Sequence, residues 1–125
     1  MGHAFPKSLR VLHRSEFLTA QRQCRRVHTA HLVLLLHDRG DAGPARLGLV
    51  TRRKVGRAVD RNRIRRVLRE TFRLHRELFP LRHDVVIIAK DESGGVASAE
   101  IRGEVLAALA RRRGAPQGPP QAPPA

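Results

Sequence analysis

The chemistry this sequence can offer is carried mainly by arginine. In the stretch RNRIRRVLRE, residues 61 to 70, Arg61, Arg63, Arg65, Arg66 and Arg69 stand against one acid, Glu70, with Asn62 between the first two arginines. A guanidinium is a planar, permanently charged fork of donors that meets a phosphate through two parallel hydrogen bonds. A helix face that serves only to meet water mixes its signs, so that acids and bases pair one turn apart. Here the signs do not mix. The self-repulsion that remains implies an anionic partner.

The wider charge distribution agrees. The chain carries 25 Lys/Arg against 11 Asp/Glu, a net charge of +14. Residues 46 to 82 hold 13 of the basic side chains and only three acids, Asp60, Glu70 and Glu77. A basic patch of this density marks a nucleic-acid or anionic-membrane partner. A spanning helix needs about 18 or more apolar residues, and the longest apolar run, LVLLL at 32 to 36, fits a buried strand instead. No membrane partner is expected. DNA readout by a helix-turn-helix needs a short helix just before the basic one, whereas strand-like RLGLVT precedes it, so no DNA partner is expected either.

Other reactive side chains form no converging set in the sequence. His28 and His31 are awkwardly spaced for one strand face and no carboxylate cluster accompanies them. His37 adjoins Asp38, the one pair that suggests a nuclease with its own active site, but catalysis needs more groups than two. Cys24 lies beside Arg25 and Arg26, which would lower its pKa if it were exposed; a quiet structural cysteine is the plainer reading. One cysteine excludes an internal disulfide and a cysteine-based zinc site. RKVGRAV has one glycine, too few for a phosphate loop. The aromatics are Phe5, Phe17, Phe72 and Phe79, with no Tyr or Trp. Phe72 and Phe79 read as core; Phe17 is either core or a platform on which a base stacks.

The elements that must position these groups follow from periodicity and punctuation. Ser15 caps a short helix through EFLTAQRQ, with Glu16 at its positive end. Strands are predicted at 26–29, 32–37 and 46–51, with the Gly/Asp/Pro loop 38–45 between the last two. The longest helix runs over about 58–74. Ile64, Val67, Leu68, Thr71 and Phe72 form its apolar stripe, and Arg65, Arg69, Asn62, Arg73 and Arg66 fill an adjacent sector with Arg61 at its border. DVVIIA, 84 to 89, is a nearly unbroken β-branched run that predicts a strand buried on both faces. Ser98 caps a final helix whose stripe is Ile101, Val105 and Leu109 and whose stop is Gly114. The order αβββαβα gives an α/β fold, a single-domain α-β sandwich on a small four-stranded sheet. The foldable domain is 1–113. Residues 114–125, only Pro, Gly, Gln and Ala, predict a disordered tail. The N-terminus, MGHAFPKSLRVLHRSEF, has no apolar signal core, and a cytoplasmic location is expected.

The block RLGLVTRRKVGRAVDRNRIRRVLRETFR, residues 46 to 73, resembles the signature of the bacterial ribonuclease P protein subunit. The resemblance extends from SEF at 15–17 through VVIIAK at 85–90, and Arg61-Asn62-Arg63 followed by Arg65-Arg66 and Arg69 is its most specific part. It implies a large catalytic RNA as partner, which with Mg²⁺ held mainly by that RNA removes the 5′ leader of precursor tRNA. No protein side chain would be catalytic. Lys54, Arg57, Arg61, Asn62, Arg63, Arg65, Arg66 and Arg69 would meet the catalytic RNA. A cleft between the first helix and the sheet would hold the leader, with Phe17, Gln21, Leu35, Arg52 and Lys90 at the matching positions. Gln21 and Leu35 stand where aromatics are common in the family, Cys24 where glycine is frequent and Arg52 where serine is, so this cleft would stack less and attract phosphate more. The resemblance also implies a left-handed strand–helix–strand crossover, against the usual rule. The competing reading is a structural RNA-binding protein of ribosomal type.

Overall fold

The structure is a computed structural model that describes residues 24–40 and 42–114, with side chains described as far as Arg111. The predicted N-terminal helix, with Phe17 and Gln21, and residues 115–125 of the predicted tail lie outside the described residues.

Four strands, β1 (Arg25–His28), β2 (Leu32–Asp38), β3 (Arg46–Val50) and β4 (His83–Ala89), form one sheet in the order β1-β2-β4-β3. β1 with β2 and β2 with β4 are antiparallel, while β3 and β4 are parallel. The parallel pair is joined by helix α1 (Ala58–Leu74), and helix α2 (Ser98–Gly114) follows β4. The element order after the predicted first helix is the expected one, with boundaries within one residue of those read from the sequence. β4 is flanked on both sides, which is why DVVIIA has no polar alternation: Val85, Val86, Ile87 and Ala89 are all buried.

One face of the sheet carries the main core. Leu32, Leu34, Leu36, Leu47, Val85, Ile87 and Ala89 pack against Ile64, Leu68 and Phe72 of α1 and Ile101, Val105 and Leu109 of α2. The buried residues of α1 are Ile64, Val67, Leu68, Thr71 and Phe72, the stripe that the 3.6-residue period predicts. Thr71 is tolerated there because its hydroxyl donates to the Val67 carbonyl at 2.8 Å. Phe79 meets Phe72 edge to face, with ring centroids 4.9 Å apart. On the other face Leu35 and Val86 form a second cluster with Cys24, Val33, Val50 and Ile88.

At one end of the sheet a buried carboxylate ties β4 to β3 and to the residue that follows β2. Asp84 of β4 accepts from Arg46 Nε at 2.8 Å and Nη2 at 2.9 Å, and from Arg39 Nη1 at 2.6 Å. Burial alone would push the Asp84 carboxyl up, but the hydrogen bonds and charges of Arg46 and Arg39 outweigh it and hold the group below the usual carboxylate range.

At the opposite end, the segment before α1 and the segment before α2 close on each other. Gly94 sits so near the turn Arg53–Val55 that a Cβ on it would lie 2.6 Å from the Val55 carbonyl oxygen. The Glu92 N–H donates to the Lys54 carbonyl at 2.8 Å, with Glu92 itself in the left-handed region at φ 66°. A backbone oxygen cannot swing aside as a side-chain tip can. Gly94→Ala is therefore expected to lower stability by about 1–3 kcal/mol, the range for overpacking, measured as a fall in the urea midpoint with an unchanged m-value. A midpoint equal to wild type would show that this approach is looser than described.

Candidate nucleic-acid interface

The start of α1 places the arginines. The Arg57 N–H donates to Asp60 Oδ2 at 3.2 Å, so the acid three residues into the segment satisfies a donor that the helix leaves open. With the apolar stripe locked to the sheet, rotation of α1 is fixed and its polar residues are distributed by the helical period. Asn62, Arg66 and Arg69 are exposed, as are Lys54 and Arg57 at the approach to the helix; Arg61, Arg65 and Arg73 are half-buried. Arg66, Arg69, Glu70 and Arg73 line a shallow open depression on this surface. Arg61 and Arg65 lay their stems against the protein, and each keeps a buried Nε without a hydrogen-bond partner. Among the described residues that line the depression, Glu70 is the acid beside three arginines.

Arg63 departs from the pattern. Its Nη1 donates to Ser98 Oγ at 2.9 Å, and its Nη2 donates to the Gly94 and Val96 carbonyls, both at 2.7 Å. Its fork is turned toward α2 and the loop before it. Ser98 is correspondingly the first helical residue and not the expected cap: the first turn of α2 closes on the Ala97 carbonyl, and the Ser98 hydroxyl serves Arg63.

The second predicted surface is only partly described. Leu35 is fully buried, so any place it has in a cleft is beneath the floor. Arg52 is exposed and pairs with Asp91 at 3.0 Å. Lys90 is half-buried and donates from Nζ to the Thr29 carbonyl at 2.6 Å. Arg52 and Lys90 thus lie at the two ends of a short hydrogen-bonded segment, Lys90 to Asp91, at the C-terminal end of β4.

The family model for ribonuclease P matches residues 5–113. The chain belongs to the ribonuclease P protein family. The ribonuclease P protein component of Desulfovibrio desulfuricans is 41% identical over 112 residues, covering 87% of this chain and 86% of that protein. That of Xylella fastidiosa is 40% identical over 117 residues, covering 92% and 84%. Among solved structures, the RNase P protein from Thermotoga maritima superposes with a TM-score of 0.72 at 29% identity, covering 82% of this chain and 96% of that one. The RNase P protein of Staphylococcus aureus, at 24% identity, shares the fold with a TM-score of 0.78 over 86% and 97% of the two chains.

Among the described residues, the other reactive side chains of this ribonuclease P protein have separate settings. His37 and Asp38 are neighbours on β2 and project to opposite faces. Asp38 accepts from the Gly40 N–H at 2.8 Å and from Arg82 at 2.9 Å, and the Gly40 hydrogen bond, aided by Arg82, holds its carboxyl low. Burial pushes the Cys24 thiol up, against the opposing charge of Arg26, which agrees with a quiet cysteine. The expectation that no carboxylates accompany His31 is corrected: Glu100 and Glu104 of α2 both reach it, with Glu104 also accepting from Thr29 Oγ1 and the His31 N–H. These acids lie far along the chain from His31, and only the packing of α2 on the β1–β2 turn brings them together. Burial would raise the Glu104 carboxyl; the bonds from Thr29 and His31 hold it below its ordinary value instead. Among the described residues, no helix is long and apolar enough to cross a membrane.

Proposed function

We propose that this chain acts as the RNA-binding subunit of a cytoplasmic ribonuclease P, docking on the large catalytic RNA through α1 and contacting the 5′ leader of precursor tRNA on the far side of the sheet. The observation that carries the reading is the arginine sector of α1: a rigidly oriented helix that presents Asn62, Arg65, Arg66 and Arg69 along one side. Lys54, Arg57 and Arg61 extend it toward the N-terminal end of the helix. The positive end of the helix dipole adds to the attraction there.

Such a surface binds and orients. It neutralises phosphates that would otherwise repel one another when catalytic RNA and precursor come together. Hydrolysis of the phosphodiester falls to the RNA and its Mg²⁺. Mg²⁺ demands near-octahedral oxygen ligands. Among the described residues His31, Glu100 and Glu104 could gather round an ion, but the set includes an imidazole, and His31 and Glu104 are bonded to each other. Leader contact is assigned to the surface bearing Arg52 and Lys90, with Leu35 beneath it; the family resemblance adds Phe17 and Gln21, which lie outside the described residues.

Reconstitution tests this. Protein alone is expected to leave precursor tRNA uncut, and protein added to its catalytic RNA at low Mg²⁺ is expected to restore leader removal. A structural RNA-binding protein of ribosomal type would bind without restoring cleavage, and cleavage by protein alone would return attention to a side-chain active site.

A further inference from the structure

We propose that Arg63 is a positioning residue: it fixes α1 against the loop before α2, and through that loop sets where the docking helix stands relative to the leader-side residues Arg52 and Lys90. This rests on the RNA-docking reading above. The Arg-Asn-Arg triplet then has divided labour, with Asn62 facing outward and the second arginine facing in.

Position on the helix gives the first argument. At 100° per residue, Arg63 lies about 160° around the axis from both Arg61 and Arg65, on the flank that faces α2. The fork itself gives the second. Both terminal nitrogens are engaged, by three acceptors at 2.7 to 2.9 Å, two of them backbone carbonyls. A phosphate that captured this fork would strip the Gly94 and Val96 carbonyls of a charged donor in a half-buried site, which is costly.

The loop that Arg63 grips supplies the third argument, because it is continuous with the other surface. Gly94 packs on Val55, Glu92 N–H donates to Lys54, and Asp91 pairs with Arg52. Ser93 Oγ donates to the Lys90 carbonyl at 2.6 Å, and Lys90 Nζ reaches the Thr29 carbonyl. A run of hydrogen bonds and close backbone contacts therefore links α1 to Lys90 within one loop. Arginine suits the task because one planar group spans three acceptors on two elements; an ammonium is a point donor on a shorter reach.

The test uses the reconstituted complex of full-length protein and catalytic RNA, with Arg63→Gln, Arg63→Lys and, as a docking control, Arg66→Gln. Arg66→Gln is expected to reduce the slope of log K against log salt for RNA association by roughly 0.7–0.9, the loss of one phosphate contact. Arg63→Gln is expected to leave that slope unchanged. It is also expected to reduce the preference for precursor over leaderless tRNA by roughly tenfold, within the range that a misplacement of about 1 Å produces. Arg63→Lys keeps the charge and is expected not to restore that preference. Should Arg63→Gln fail to fold, Ser98→Ala removes one of the three bonds with the charge intact and should shift leader preference in the same direction by less. An unchanged slope for Arg66→Gln would overturn the docking reading itself. If Arg66→Gln behaves as stated but Arg63→Gln lowers the slope equally, or lysine rescues it, Arg63 is an RNA contact and this proposal fails. Lowered melting temperature with intact leader preference in Arg63→Gln, or in Ser98→Ala where only that variant folds, would reduce Arg63 to a stabilising residue and equally overturn it.

Discussion

Alanine at Arg65, Arg66 and Arg69 together is expected to weaken association with the catalytic RNA about 100-fold or more, since charge-assisted hydrogen bonds contribute of order 1.5–3 kcal/mol each and surface exposure lessens that. The salt slope should fall by roughly 2 to 3, as three phosphate contacts are lost. Folding should be spared. Alanine is the better helix former, and Arg65 gives up an Nε that is buried without a partner along with the packing of its stem. Far-UV circular dichroism and the melting temperature should therefore match wild type while the affinity collapses. A triple variant that binds with unchanged affinity and slope would remove α1 from the docking surface.

Asp84→Ala should act in the reverse way, on stability and not on RNA. The carboxylate is almost fully buried and answers two guanidinium groups, Arg39 and Arg46. Its removal takes away the buried carboxylate that both guanidinium groups answer, at an expected cost of about 3–5 kcal/mol. For a domain whose whole stability is of order 5–15 kcal/mol, that is a large fraction. The sign of the pH dependence follows from the depressed carboxyl. Because the folded state binds the proton less readily than the unfolded chain does, the contribution is complete above the ordinary carboxylate range. It is lost as pH falls below about 4 toward the folded-state value. Glu104, also held low, acts with the same sign. Acid titration of the unfolding midpoint should accordingly be shallower in Asp84→Asn than in wild type. Equal acid sensitivity in the two proteins would mean that this cluster does not govern the acid limb.

The difference between these two sites explains what could be read from the sequence. The stripe and arginine sector of α1 were legible because a helix converts spacing into direction, and every residue concerned lies within a few turns. β4 was legible because burial on both faces leaves an unbroken apolar run. Asp84, Arg39 and Arg46 were not, since only the pairing of three strands brings them together. The inward turn of Arg63 was hidden for a similar reason: its acceptors are carbonyls of Gly94 and Val96, which no side-chain pattern announces. His31 with Glu100 and Glu104 is a third example, assembled by the docking of α2 on a hairpin turn. The family resemblance puts Leu35 at a cleft position; strand alternation agrees with that face but does not reveal that the residue is wholly covered.

The order of the strands has a consequence for how the protein is made. β4 lies between β2 and β3, so the two strands that leave the ribosome earlier have no partner in each other. Until residue 89 has emerged, the sheet lacks its middle, and the hydrophobic stripe of α1 has only half a surface to cover. The nascent chain therefore holds a long cationic helix segment in an unanchored state while synthesis continues. Contacts of high sequence separation form slowly, and a chain waiting for them exposes apolar surface and strand edges. Completion of β4 closes the sheet, and the packing of α2 that follows fixes α1 from its other side, so the arginines take their orientation late in synthesis.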